Sequence, residues 1–127
     1  RAFLFAGHAG AARPDAPATL EFGYGSFPTR ALLALGSAPT LVQLFACSTG
    51  ATGDIEEILD GSWAPALIAV GAQAVLASRS DITAEAGAEI LQAWSGALDP
   101  GKDVTQVWAD LNGRDLPGLE HMNLLMP

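Results

Sequence analysis

Short apolar runs of strand length alternate along this chain with longer segments of helical period. That alternation restricts the fold to an α/β sheet. Phe3 to Ala6 predicts a first strand, ended by Gly7, and residues 10–17, rich in Ala, Gly, Pro and Asp, predict a loop. Thr19 to Phe22 predicts a short strand and Gly23-Tyr24-Gly25 a turn. Ser26 then caps a helix to about Leu35, with Pro28 in the first turn, where a missing N–H costs little. Thr40 to Ala46 predicts a second buried strand that runs into Cys47-Ser48-Thr49-Gly50. Asp54 to Leu59 predicts a short helix or loop, Ser62 to Val70 a helix stopped by Gly71, and Gln73 to Ala77 a third core strand. Thr83 to Leu98 is the clearest helix, with Ile90, Leu91, Trp94 and Leu98 on one stripe. Pro100-Gly101 breaks it, Lys102 to Leu111 resumes, Asn112-Gly113 stops that helix, and His121 to Met126 predicts a final strand. With helices between buried strands, the sheet is expected to be largely parallel, flanked by helices on both faces.

The 127 residues fit a single domain, 1–127, and half of them are apolar, enough for a real core. The chain opens on an interior-type strand with no preceding element. The expectation is a C-terminal-side fragment of a larger domain, its earlier strands supplied by another segment or chain. Asp and Glu number 14 against 6 Lys and Arg, a net charge of −8. That argues against direct contact with nucleic acid, which needs a basic face. No run of 18 apolar residues is present, so no membrane partner is expected. One cysteine forms no internal disulfide, as suits a cytoplasmic setting.

Two residues stand out by position. His8 follows the first strand in Phe5-Ala6-Gly7-His8-Ala9-Gly10, and Cys47 follows the second in Leu44-Phe45-Ala46-Cys47-Ser48-Thr49-Gly50. In parallel α/β sheets, sites gather beyond the carboxyl ends of the strands. A thiol and an imidazole at one such edge are the minimum for nucleophilic catalysis. A lone cysteine at a strand end is more often a small buried hydrophobe, and a lone histidine after glycine a turn residue. His121 lacks a surrounding loop of small residues and reads as structural or surface. Dinucleotide, phosphate-loop, serine-hydrolase-elbow and zinc signatures are all missing. The cluster Asp54, Glu56, Glu57 and Asp60 reads as a solvated helix end rather than a metal site.

Taken together, these segments resemble the CHAT family of caspase-like, separase-related cysteine peptidases, over nearly the whole chain. Phe3 to Gly10 looks like the family's strand, histidine and small-residue loop. Ala18 to Phe22 followed by Phe27 to Leu32 resembles its hairpin and helix. Leu41 to Gly50, the most specific element, resembles the apolar strand leading into Ala-Cys, and Gly71 to Ser78 is similar to the next strand. Family members usually carry Trp and Asp just after that strand. Here Arg79-Ser80-Asp81-Ile82-Thr83 stands instead.

The resemblance implies a caspase-like domain and a cysteine endopeptidase acting on protein or peptide substrates. Cys47 would be nucleophile and His8 its acid–base partner, with the backbone N–H groups of Ala9 and Cys47 as the oxyanion donors. No metal and no organic cofactor is called for. Activity would be switched by an attached sensor or repeat domain, or by the missing N-terminal segment. Arg79 and Asp81 border the expected pocket for the residue before the cut, and strand alternation places both on one face. Asp81 inward would favour a basic residue there and Arg79 inward an acidic one; the acidic net charge tilts the expectation to a basic residue. The alternatives are a catalytically inactive caspase-like interaction module and a small-molecule-binding, flavodoxin-like α/β domain.

Overall fold

The computed structural model describes residues 2–10, 19–23, 25–29, 31, 34, 36–46 and 63–127. Four strands form the main sheet: β1 (Ala2–Ala6), β5 (Leu41–Phe45), β6 (Ala74–Ser78) and β7 (Met122–Leu125), in that order. β1 and β6 both run parallel to β5, and β7 is antiparallel to β6. The sheet is therefore mixed and mostly parallel, and the chain is α/β. Three further strands, β2 (His8–Gly10), β3 (Thr19–Phe22) and β4 (Gly25–Pro28), form a small antiparallel sheet. Helices α1 (Trp63–Ala69), α2 (Ala84–Ala97) and α3 (Val104–Asn112) flank the strands.

Strand alternation divides the core. Val42 and Leu44 of β5 and Val75 and Ala77 of β6 pack with Trp63, Ala64, Ala66 and Leu67 of α1. Phe45 and Leu76 point the other way, onto Ile90 and Trp94 of α2 and Val107 and Leu111 of α3. The expected helices on both faces are thus present. At the centre of the second layer, Gln43 is buried in β5 and its Oε1 accepts a 2.7 Å bond from the Trp94 indole N–H. The bond satisfies a polar group that would otherwise sit unpaired inside the sheet.

Several local expectations change. Gly25–Pro28 is a strand, not the start of a helix, because pairing with β3 outweighs the local signals of Ser26 and Pro28. Phe27 thereby lies opposite Leu20 and stacks on Trp63 at 5.9 Å between ring centroids. Pro28, lacking an N–H, closes the edge strand, and Ala31 and Ala34 are helical. His8–Gly10, for which no strand was expected, pairs antiparallel with β3, and Gly10 thus leaves the predicted loop of residues 10–17. At the other end, Leu98 lies one residue past α2 and is exposed, and the strand expected from His121 begins at Met122 after a 3-10 turn, Leu119–His121. The expected segment Asp54 to Leu59 lies outside the described residues. Among the described residues β1 is an edge strand, with Phe3 41% and Leu4 47% exposed.

Helix α3 starts at Val104 rather than Lys102 because Asp103 caps it. One Asp103 carboxylate oxygen accepts from the Thr105 backbone N–H and from its hydroxyl, both at 2.9 Å, and the Gln106 Oε1 accepts from the Asp103 N–H. The Thr105 backbone bond, then its hydroxyl, holds the Asp103 carboxyl below the usual carboxylate range. The folded value lies below the unfolded one, so this contribution is complete above the ordinary Asp range and is lost as pH falls through the depressed folded value. Asp103→Asn is expected to keep the cap while flattening that acid limb, measured as the thermal midpoint against pH.

Candidate active site

The parallel pairing of β1 with β5 brings their carboxyl ends to one edge, with Ala6 opposite Phe45. The Gly7 N–H donates to the Phe45 carbonyl at 3.2 Å, extending the ladder past both strands. From the other side, the buried Ser78 hydroxyl at the end of β6 donates to the Ala46 carbonyl. The end of β5 is therefore clasped by both neighbours at the two residues that precede Cys47. In the sequence the only signal for Ser78 is a hydroxyl closing an otherwise apolar strand.

His8 opens β2, exposed, opposite Glu21, and Ala9 follows opposite Leu20. Cys47 lies outside the described residues, as do the neighbouring Ser48 to Gly50. His8 also lines a cavity of about 330 Å³ beyond the strand ends. Ala6 and Phe45 form one wall, and Ile82, Ala84, Gly87 and Leu91 the other. Ile82 falls in the segment expected to border the pocket, whereas Ala84, Gly87 and Leu91 of α2 were missed from sequence. Ala84, Gly87 and Ala88, small residues at i, i+3 and i+4 on one helix face, were the available signal.

Neither Arg79 nor Asp81 lines this cavity; both are exposed. The Arg79 guanidinium donates to the Glu120 carbonyl, while its backbone N–H donates to the His121 carbonyl. The described walls of the cavity are predominantly apolar. The segment Ile82-Thr83-Ala84 borders the cavity. Thr83 caps α2, its hydroxyl accepting from the Ala86 N–H at 3.2 Å.

Two other features compete for attention. The Ser80 hydroxyl lies 2.7 Å from His121 Nδ1, and His121 Nε2 lies 3.5 Å from the Glu120 carboxylate. All three are surface or half-buried groups, and none lines the cavity beside His8. A second hollow of about 340 Å³, lined by Phe3, Phe22, Phe27, Trp63 and Leu67 among others, carries no titratable side chain among the described residues. No group of three or more His, Cys, Asp or Glu able to hold a metal occurs among the described residues. No described helix is long and apolar enough to cross a membrane.

No protein-family model matches the sequence, and no curated protein matches it.

Proposed function

We propose that this chain is a cysteine endopeptidase of caspase-like type, working through Cys47 and His8. The observation that carries the reading is the β1–β5 register: Ala6 faces Phe45, and His8 and Cys47 each follow two residues later in the sequence. Consecutive α-carbons are about 3.8 Å apart, so equal two-residue steps from a paired position give both side chains access to the same edge. The clasp of Ala46 by Ser78 supports the reading, since it fixes the backbone from which Cys47 springs.

The chemistry follows from the groups. A free thiol has a pKa near 8.5, so a few per cent is thiolate at neutral pH. His8 takes the Cys47 proton, and the sulfur attacks the peptide carbonyl carbon. The resulting oxyanion is held by the Ala9 and Cys47 N–H groups, each such donor being worth about 3 kcal/mol in the barrier. The intermediate collapses as the C–N bond breaks and His8 returns the proton to the leaving amine. Water then attacks the thioester, His8 accepting its proton, and the carboxylic acid departs as the Cys47 thiol re-forms.

A peptidyl chloromethyl ketone titrated against the full chain tests this. Stoichiometric labelling at Cys47, located by peptide mass mapping and outpacing a simple thiol such as glutathione, is expected. Labelling no faster than the simple thiol would favour the inactive interaction module.

A further inference from the structure

The described walls of the cavity beside His8 are mostly apolar. Ala6, Phe45, Ile82, Ala84, Gly87 and Leu91 offer carbon and backbone, Thr83 adds one hydroxyl that already accepts from the Ala86 N–H, and among the described residues His8 is the only titratable side chain on the lining. Among the described residues the lining holds no carboxylate to neutralise a lysine or arginine and no fixed cation for an aspartate or glutamate. A charge placed against these walls would be desolvated without a partner among them, which is costly. Its volume of about 330 Å³ sits at the low end of small-molecule pockets, ~300–1,000 Å³.

Gly87 sits in the first turn of α2, where glycine is a poorer helix former than alanine. Its backbone does not require glycine, because its φ is not among the positive values of the chain. Packing does not require it either: a Cβ at Gly87 would meet nothing within 4 Å. What the missing side chain leaves is room on the cavity wall.

We infer that this cavity receives an uncharged apolar side chain, Leu, Met or Phe, from the substrate residue before the scissile bond. Gly87 sets its upper size limit. The inference rests on the peptidase reading for which residue of the substrate is bound, and on the cavity alone for the chemistry of the side chain.

Two measurements on the full chain separate these. In the first, N-acetyl-leucine amide, N-acetyl-arginine amide and N-acetyl-glutamate amide are titrated while the backbone amide resonances of Gly87 and Ala88 are followed. The leucine compound should shift both saturably, at least about tenfold more tightly than the charged two. Gly87→Leu should abolish the shift at Ala88. In the second, chloromethyl ketones ending in Leu, Phe, Arg or Asp compete for Cys47. The Leu and Phe reagents should label at least about tenfold faster than the charged ones. The milder Gly87→Ala should raise the thermal midpoint by a few degrees while slowing the Phe reagent relative to the Leu reagent. Fastest labelling by the Arg or Asp reagent, or a leucine amide that leaves Gly87 and Ala88 unmoved, would overturn the inference. Leucine-selective shifts with no labelling at Cys47 would uphold the cavity's selectivity and sink the peptidase reading instead.

Discussion

Replacing Cys47 by alanine is expected to lower the turnover of a cleaved peptide by about 10⁴-fold or more, the scale on which removing a nucleophile acts. The thermal midpoint should move by no more than a few degrees. His8→Ala should lose most of the activity too, and the double variant little more than either single one, since two groups acting as a unit are not additive. Ser78→Ala offers a graded companion: it frees the Ala46 carbonyl from its clasp without touching either reacting group. Near-wild-type cleavage in Cys47→Ala would point to another nucleophile. Ser48 is the first to examine from sequence, and Ser80, in hydrogen-bond contact with His121, the first from the structure.

The largest loss of stability is expected at Trp94. Its ring is fully buried between α2, β5 and α3, its N–H bonds Gln43 at 2.7 Å, and Trp108 meets it edge-on at 6.5 Å. Trp94→Ala should cost about 3–5 kcal/mol through lost burial and the cavity left behind. It also orphans the Gln43 amide, a further penalty of about 1–3 kcal/mol. Against a total of about 5–15 kcal/mol for a domain, that leaves a chain partly unfolded at room temperature. Trp94→Phe isolates the polar part: it keeps most of the packing and loses the bond, for about 1–3 kcal/mol. Adding Gln43→Leu to Trp94→Phe should recover part of that loss, because neither partner is then left unpaired. Urea midpoints followed by circular dichroism measure all three. Trp94→Phe within about 0.5 kcal/mol of wild type would show that the Gln43 bond contributes nothing net.

The elements legible in the sequence are those whose pattern is local. β5 and β6 are apolar runs bounded by turn residues, and α2 carries Ile90 and Trp94 on a helical stripe from a Thr83 cap. The strands β2 and β4 were illegible because each exists by pairing with β3, a contact between separate segments, against local signals for loop and helix. Gln43 looked like one polar residue in a buried run, and its partner lies 51 residues away. The candidate site divides the same way. That His8 and Cys47 follow neighbouring parallel strands could be read from strand order, and β1 and β5 are such neighbours. The direction of Arg79 could not, since it depends on the Glu120 carbonyl 41 residues downstream. Nor could the α2 part of the cavity wall, Ala84, Gly87 and Leu91, which lies across from Ala6 and Phe45 only in the folded chain.

The pairing of the thiol with the imidazole is the claim on which the rest depends, and the rate of alkylation at Cys47 by iodoacetamide between pH 5.5 and 7 tests it most directly. The reagent is small and neutral, so it reports the reactivity of the sulfur without needing the substrate cavity. With His8 beside Cys47, the wild-type chain should react at least about tenfold faster than His8→Ala across that range, where an unassisted thiol is almost wholly protonated. Rates that coincide in the two proteins at every pH would show that His8 does not act on Cys47, and the dyad would have to be abandoned.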